Sequence, residues 1–308
     1  MKSYLIPTSS VEHLVRLIQA KNKSFEVIFP DLSRDGKRYF PDGEVYMKIL
    51  KANKLKDKQV IVLHSGAPKP NEGLIELELI LQILRDNDIK PGVFFTYFPY
   101  SMQDEVFEKG ETNIAENLIE KLINYYKVRK IYIIDPHFGG RKWVKKYPII
   151  NISAVPIMIE KAKKDFEKDI FLLSPDIGGE RRTKISGFKK KRLNSFNVKV
   201  FPPKLKLKGE IVGVVDDIIK TGGTLLKFYE IAKKLGTEKI IALVTHGVIP
   251  SGILKIKKKY SKLYLTNTIK QRARQSQARW KMRRSLSDQK ESNVDITDLI
   301  LNTLLKHD

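Results

Sequence analysis

Short apolar runs recur along the chain, and between them lie stretches in which apolar residues are spaced three or four positions apart. A short apolar run bounded by turn-forming residues is typical of a buried strand in a parallel sheet. The wider spacing is typical of a helix with one apolar face. In the first half this alternation predicts strands at residues 3–8, 25–30, 58–66, 91–97 and 130–134, and helices at 11–22, 71–86 and 112–126.

The second half shows the same alternation of apolar runs and amphipathic stretches. It predicts strands at residues 170–176, 211–215, 239–244 and from 262 onward, a loop at 245–247, and helices at 225–236 and 294–306. Alternating strands and helices are typical of an α/β fold with a parallel sheet. We therefore expect two tandem domains, 1–142 and 143–308, each a mostly parallel sheet flanked by helices.

A turn sequence, Phe-Pro-Asp-Gly-Glu, occupies residues 40–44. Pro-Asp-Gly is common in tight turns because proline presets the backbone and glycine accepts a positive φ. Apolar residues follow the turn, among them Tyr46 and Ile49. The pattern predicts a hairpin whose second strand contains these two residues.

The clearest candidate for chemistry is the apolar run at residues 211–215, which ends in two adjacent carboxylates, Asp216 and Asp217. We expect the strand to end at this acid pair. The carboxyl ends of parallel strands are where open α/β sheets bind ligands. Carboxylates in that place can accept hydrogen bonds from the hydroxyls of a sugar.

Beyond the acid pair the sequence Thr221-Gly222-Gly223-Thr224 leads into a helical pattern. The glycines allow a tight turn close to a ligand, and either threonine can cap the helix. A helix N-terminus attracts phosphate through its N–H groups and its dipole. An ordinary strand–turn–helix joint would also need a glycine turn. The acid pair at this spacing favours a sugar-phosphate site over that simpler explanation.

Composition excludes several classes of protein. The chain has 308 residues, 42% of them hydrophobic and 30% charged, which suits two soluble globular domains. It contains no cysteine, which rules out disulfides and thiolate metal sites. The sequence has no signal-peptide pattern and no run long enough to span a membrane. We therefore expect a cytoplasmic protein without membrane contact.

The formal net charge of +23 is large, but the lysines are distributed along the whole chain. Such a distribution favours a general surface property over one binding patch. The strongest local concentration is residues 272–284, with six basic residues and one tryptophan. This segment leaves nucleic-acid binding open, although an exposed basic loop or helix is the favoured interpretation.

The residues from 211 to 224 resemble the signature for 5-phosphoribosyl 1-pyrophosphate (PRPP) shared by type I phosphoribosyltransferases and ribose-phosphate pyrophosphokinase, also called PRPP synthetase. The sequences FPDGE at 40–44, PY…QD…GE at 99–111, DPH at 135–137 and SPDIGG at 174–179 are similar to the synthetase in combination. This resemblance implies two tandem phosphoribosyltransferase-like domains. It also implies that the last helix, 294–306, packs back on the first domain.

On the ATP side the resemblance implies a loop that reaches a neighbouring subunit, and hence a homo-oligomer. Met102 occupies the place of the family's arginine, and Glu105 replaces a residue that is usually basic. A methionine can pack on an adenine but cannot make an arginine's hydrogen bonds. The residues that the resemblance assigns to ATP are Phe40, Asp42, Gly43, Glu44, Met102, Gln103 and Asp104.

The resemblance also implies a magnesium ion held with the help of His137 and Asp176, and a catalytic loop that contains Lys190 and Arg192. Fixed cations stabilise the charge that develops during phosphoryl transfer. Ribose 5-phosphate would be held by Arg192, Asp216, Asp217, Lys220, Thr221, Gly222, Gly223 and Thr224.

The activity that this resemblance implies is transfer of the β,γ-diphosphoryl group of ATP to the anomeric hydroxyl of ribose 5-phosphate, which gives PRPP and AMP. Two alternatives remain at this stage. One is a catalytically weak regulatory paralogue, suggested by Met102 and by Pro136, which replaces the leucine of the family's DLH. The other is a phosphoribosyltransferase that consumes PRPP, against which the ATP-side sequences argue.

Overall fold

The structure is a computed structural model. It describes residues 3–22, 24–175, 179–180, 185, 189–192, 198–201, 207, 210–271 and 290–306, with only the backbone described for 189–192 and 198–201. The chain divides into two compact units. The first consists of Met1–Ile152, Thr268–Lys270 and Ile296–Asp308, and the second of Ser153–Asn267 and Gln271–Asp295. The expected boundary at residue 142 therefore falls within the first unit.

The first unit is built on a six-stranded sheet in which all neighbours are parallel. Its spatial order is β2-β1-β3-β4-β5-β6. The strands are β1 (Ser3–Pro7), β2 (Phe25–Val27), β3 (Gln59–Ser65), β4 (Gly92–Tyr97), β5 (Lys130–Ile134) and β6 (Ile149–Ile152). The first three helices are α1 (Glu12–Lys21), α2 (Pro70–Asp86) and α3 (Ile114–Asn124).

The core of the first unit lies between this sheet and its helices. Every residue of β4 is buried, as expected for a central parallel strand covered on both faces. The apolar faces of α2 and α3 supply Leu77, Ile80, Leu118 and Leu122 to the same cluster. Burial of this kind, at roughly 25 cal/mol per Å² of apolar surface, is the main force that holds the layers together.

The second unit contains a five-stranded parallel sheet in the order β13-β12-β11-β10-β7. A separate antiparallel pair joins β8 and β9. The strands are β7 (Phe171–Leu173), β8 (Lys189–Arg192), β9 (Val198–Phe201), β10 (Ile211–Ile219), β11 (Lys239–Gly247), β12 (Lys262–Thr266) and β13 (Glu291–Val294). The helices are α4 (Val155–Phe166), α5 (Gly223–Lys234) and α6 (Pro250–Lys259).

Two apolar clusters cover the central strands of this second sheet. One joins Phe228 of α5 and Ile256 of α6 to the sheet, and the other joins Met158 of α4 to Tyr264 of β12. The predicted α/β class, with mostly parallel sheets flanked by helices, is confirmed in both units. None of the helices in the described ranges is long and apolar enough to cross a membrane.

The predicted hairpin around residues 40–49 is wrong in part. The turn forms, but its arms meet only at one isolated bridge, between Tyr39 and Val45. The cross-arm hydrogen bond from Tyr46 N to Arg38 O, at 2.7 Å, belongs to this bridge, and no second strand forms around Ile49. Ile49 packs into the first core rather than onto a strand partner, so packing overrides the strand preference of the sequence.

The last helix, α7 (Thr297–Lys306), belongs to the first unit. It buries Ile300, Leu301 and Leu304 and packs against α1. Lys21 Nζ of α1 lies 2.9 Å from Asp298 Oδ2 of α7. Both ends of the chain thus contribute to the first unit.

Candidate functional site

The acid pair lies inside β10 and not beyond its end. The ladder between β10 and β11 continues past Asp216 to the pair Ile219 and Gly247. The predicted end of the strand at residue 215 is therefore wrong, because the long partner β11 extends the hydrogen bonding. Asp216 and Asp217 are only 6% and 4% exposed. The carboxyl end of the strand still follows within a few residues.

The two aspartate side chains lie in a part of the second unit that is sheltered from solvent. Asp217 N donates to Asp216 Oδ1 at 3.1 Å, which fixes the first side chain against the backbone. Burial, followed by the charge of Asp216, raises the pKa of the Tyr260 phenol well above its ordinary value. Tyr260 therefore stays protonated, and its hydroxyl donates to Leu225 O at 2.6 Å.

The turn after β10 presents the N-terminus of α5. Gly222 is the N-cap residue, with a φ of 80°, and no side chain makes a cap hydrogen bond. The expectation that Thr221 or Thr224 caps the helix is therefore wrong; a left-handed glycine begins the helix instead. Thr221, Gly223 and Thr224 are exposed. The first N–H groups of such an uncapped helix suit an anion.

Gly252, near the start of α6, fixes the position of this turn. A Cβ atom built on Gly252 would lie 1.9 Å from Lys220 O. The α6 backbone therefore packs directly on the carbonyl of Lys220, which only a glycine permits. We did not predict a role for Gly252. The only feature of the sequence that could have indicated this role is that Gly252 shortly follows Thr245-His246-Gly247 in the chain.

In the first unit the expected ATP-side residues lie on two loops. The turn at residues 40–44 is closed by Phe40 N donating to Glu44 O at 2.8 Å, and Gly43 has a φ of 95°. Asp42 Oδ1 accepts from Glu44 N at 3.1 Å. Phe40 is 46% exposed and meets Tyr46 edge to face, with 5.9 Å between ring centroids. An exposed aromatic ring on a rigid turn can stack on a flat ligand.

The loop after β4 carries Met102, Gln103 and Asp104, and these three residues differ in exposure. Met102 is 42% exposed, whereas Asp104 is 3% exposed. The Asp104 carboxylate accepts two hydrogen bonds from Arg141, at 2.7 and 3.2 Å. These bonds, and a further one to Glu105, raise the pKa of the Arg141 guanidinium. Sequence patterns gave no indication of Arg141.

His137 lies on the loop after β5 and is half-buried. The residue two positions earlier, Asp135, has a φ of 37°, so the chain turns sharply at this edge of the sheet. Asp176, the second expected magnesium ligand, lies outside the described residues. Within the described ranges no group of three or more His, Asp or Glu side chains is placed to hold a metal ion.

The expected catalytic residues Lys190 and Arg192 lie on β8. Lys190 pairs with Val200 and Arg192 pairs with Val198 across the antiparallel ribbon. The catalytic role expected for these two residues stays a prediction. The basic segment 272–284 lies outside the described residues.

Comparison with known proteins follows the same division into two units. Residues 27–126 match the family model for the N-terminal domain of ribose phosphate pyrophosphokinase, and residues 161–274 match the model for a phosphoribosyl transferase domain. A ribose-phosphate pyrophosphokinase of Pyrococcus furiosus is 35% identical over 242 residues, which cover 75% of this chain and 84% of that protein. The chain belongs to the ribose-phosphate pyrophosphokinase family. It is therefore a member of an enzyme family, as the sequence predicted.

Other relatives agree with this assignment to the ribose-phosphate pyrophosphokinases. The protein of that name from Thermococcus kodakarensis is 31% identical over 243 residues, covering 75% of this chain and 84% of the relative. The crystal structure of phosphoribosylpyrophosphate synthetase from Mycobacterium smegmatis has a TM-score of 0.77 and 19% identity. It covers 98% of this chain and 97% of that one. At this identity the likeness establishes the fold.

Proposed function

We propose that this pyrophosphokinase transfers the β,γ-diphosphoryl group of ATP to the anomeric hydroxyl of ribose 5-phosphate, releasing AMP and PRPP. The observation that carries the proposal is the pairing of Asp216 and Asp217 with the uncapped N-terminus of α5. The family membership and the N-terminal domain match at 27–126 support ATP as the second substrate.

The second unit would bind the acceptor. The buried acid pair is suited to accept hydrogen bonds from the ribose hydroxyls. The 5-phosphate would lie against the first turn of α5, where N–H groups and the helix dipole favour an anion. Lys220 is half-buried at the same turn and adds a positive charge. The phosphate-binding residues would be Lys220, Thr221, Gly222, Gly223 and Thr224.

The first unit would bind the nucleotide. Exposed Met102 and exposed Phe40 offer apolar surfaces for a base. Asp42, Gly43 and Glu44 shape the turn that carries Phe40, and Gln103 and Asp104 directly follow Met102. We propose that the turn at 40–44 acts across a subunit interface, which makes the enzyme a homo-oligomer.

In the transfer step the anomeric oxygen would attack the β-phosphorus in line. A new bond forms between these two atoms, the bond from the β-phosphorus to the α–β bridging oxygen breaks, and AMP leaves with that oxygen. The hydroxyl proton is lost to solvent. Lys190 and Arg192 would stabilise the charge on the transferred group and on the leaving oxygen, and Arg192 would also contact the sugar phosphate.

Magnesium would be held beside His137 and Asp176. Mg²⁺ usually keeps several waters and takes one or two carboxylates together with substrate phosphates. The half-buried position of His137 at the sheet edge fits a site of this kind, which needs no preformed cage. When bound, the ion neutralises charge on the phosphate oxygens.

The direct test is product analysis with purified protein, ATP, Mg²⁺ and ribose 5-phosphate. AMP and PRPP should appear in a one-to-one ratio. Release of ADP, or absence of AMP, would contradict the proposal. Release of pyrophosphate from PRPP in the presence of a nucleobase would instead identify a phosphoribosyltransferase.

The catalytic role of Lys190 can be tested separately. Lys190→Ala should lower kcat by about 100-fold or more, because a cation aimed at the developing charge is lost. Binding of ribose 5-phosphate, measured by calorimetry, should stay close to that of the unchanged protein. Retention of turnover in this variant would reassign the role to a neighbouring lysine, such as Lys189 or Lys191.

A regulatory paralogue remains the second candidate, because Met102 is exposed where an arginine would supply hydrogen bonds. Such a protein would bind ribose 5-phosphate but bind ATP poorly. Equilibrium binding of ATP with Mg²⁺ separates the two proposals. Saturation at millimolar ATP or below, together with turnover, excludes the paralogue.

A further inference from the structure

A charged cluster of Arg141, Asp104 and Glu105 joins two loops at the carboxyl edge of the first sheet. Arg141 Nε donates to Asp104 Oδ2 at 2.7 Å, and Nη2 donates to Oδ1 at 3.2 Å. Arg141 Nη1 donates to Glu105 Oε2. The guanidinium thus binds the Asp104 carboxylate through two parallel hydrogen bonds, which is the strongest geometry for an arginine–carboxylate pair. It also donates a hydrogen bond to the carboxylate of the next residue, Glu105.

The base of the Arg141 side chain is itself held firmly. Arg141 N donates to Phe138 O at 2.8 Å. Phe138 is fully buried and packs against Phe98 and Trp143, with ring centroids 5.1 and 4.9 Å apart. The loop after β5 therefore presents Arg141 from an aromatic cluster that is part of the core.

The loop that receives Arg141 is fixed at several further points. Gln103 N donates to Tyr100 O at 2.9 Å, and Gln103 O accepts from Ala115 N at 3.0 Å. Trp143 Nε1 donates to Asp104 O at 3.2 Å. The backbone around Met102 is therefore held by neighbours on both sides, while the Met102 side chain remains 42% exposed.

The Asp104 carboxylate needs this partner. Its side chain is 3% exposed, and a buried carboxylate that loses its cationic partner is strongly destabilising. Residue 102 is a methionine and residue 105 is a glutamate, so this short loop segment supplies no cation of its own. The positive charge comes instead from the neighbouring loop, 37 positions further along the chain.

We infer that Arg141 is a positioning residue for the nucleotide: by holding Asp104 and Glu105 it fixes Met102 and Gln103 in the arrangement that receives the base of ATP. This inference rests on the proposed function. Arg141 acts through the loop and not by contact with the reacting atoms. Its removal should therefore weaken nucleotide binding more than it slows the chemical step.

The test compares Arg141→Met and Arg141→Lys in steady-state PRPP synthesis. Arg141→Met should raise the KM for ATP about tenfold, because a displaced binding loop loses aligned contacts. The kcat should stay within about twofold, and the KM for ribose 5-phosphate should not change. Lysine keeps the charge but cannot form the two-pronged grip, so Arg141→Lys should recover only part of the loss.

Arg129→Met is a matched control. Arg129 directly precedes β5, whereas Arg141 lies on the loop that follows β5. Arg129 is exposed and donates from Nε to Lys90 O at 2.8 Å. This control should leave the KM for ATP unchanged. Glu105→Gln is the second variant, because it keeps the buried Asp104–Arg141 pair and hence the fold. It should raise the KM for ATP about twofold to fourfold.

The outcomes separate this inference from the proposed function. An unchanged KM for ATP in Arg141→Met, or in Glu105→Gln if the first variant does not fold, overturns the inference alone. A parallel loss of kcat and thermal stability at constant KM also overturns it, since that result indicates a purely structural role. Absence of PRPP synthesis in the unchanged protein refutes the proposed function and the inference with it.

Discussion

Single residues set the geometry of the turn between β10 and α5. Gly222 begins α5 in a left-handed conformation, which carries a penalty for residues other than glycine. Gly252 allows α6 to approach the carbonyl of Lys220 more closely than any side chain would permit. The proposed phosphate site at the start of α5 therefore requires glycine at positions 222 and 252, in addition to the groups that would bind the ligand.

Gly252→Ala should displace the turn at Lys220. The added methyl would meet a backbone oxygen, which cannot rotate away, so overpacking should cost about 1–3 kcal/mol of stability. The KM for ribose 5-phosphate should rise by about tenfold or more, while the KM for ATP changes little. Steady-state kinetics at several concentrations of each substrate give both values.

Ser251→Ala is the control for this substitution, since Ser251 is the exposed neighbour on the same turn of α6. Its kinetics should match those of the unchanged protein. Wild-type affinity of Gly252→Ala for ribose 5-phosphate would show that the turn is not held by this contact.

At the scale of elements, the end of α4 is tied to β12 by an ion cluster. Asp165 Oδ2 accepts from Lys262 Nζ at 2.6 Å and from the Tyr264 hydroxyl at 3.0 Å. Lys161, one turn earlier on α4, donates to the other oxygen. This cluster lies beside the apolar contact of Met158 and Tyr264, so charge and packing join the same two elements.

Asp165 should make stability depend on pH in the acid range. Burial tends to raise the pKa of its carboxyl, but hydrogen bonds from Lys161, Lys262 and Tyr264 outweigh burial and lower the pKa to about 2. The pKa of the Asp165 carboxyl is lower in the folded than in the unfolded protein. Its ionised form therefore stabilises the fold at pH values above the unfolded-state pKa. That stabilisation, about 2 kcal/mol, is lost as the pH falls from about 4 to about 2.

Denaturant unfolding of Asp165→Asn and of the unchanged protein measures the contribution of Asp165 to the free energy of unfolding. The difference in free energy of unfolding should be about 2 kcal/mol at pH 6 and should shrink toward zero near pH 2. Asp169→Asn, at a fully exposed side chain nearby, should change stability by less than about 0.5 kcal/mol. A difference for Asp165→Asn that is independent of pH would contradict the assignment.

At the scale of the whole molecule, the chain returns to its first unit twice. Thr268–Lys270 and Ile296–Asp308 both belong to that unit, although the second unit precedes and separates them. Ser65 and Thr96 donate to Thr268 O at 3.2 and 2.7 Å, and α7 packs on α1. The first unit is therefore complete only when the C-terminal part of the chain is in place.

Leu304→Ala should loosen the first unit. Leu304 is 2% exposed, and truncation of a buried leucine costs about 2–5 kcal/mol. Hydrogen exchange of the α1 amides should become faster, because α7 covers that helix. Leu305→Ala is the matched control, since the neighbouring Leu305 is 46% exposed and should have little effect. Equal exchange rates in the two variants would show that α7 does not support α1.

The sequence by itself determined most of the strands and helices and the α/β class, and it singled out residues 211–224 as a candidate site. These features depend on local properties: the spacing of apolar residues, the flexibility of glycine and the charge of adjacent carboxylates. The same local signals misplaced the end of β10, the cap of α5 and the second arm of the hairpin at 40–49. Each of these features depends on contacts with residues that are distant in the sequence, and a local sequence pattern does not contain those residues.

Only the tertiary structure placed Arg141 on Asp104, Gly252 on Lys220 and α7 on α1. The two partners in each pair are far apart in the sequence, so the contact exists only after the sheets and helices have packed. Packing in turn decides which charges are buried, and a buried charge requires a partner nearby. The sequence thus determined which groups were present, and the fold decided which of them meet.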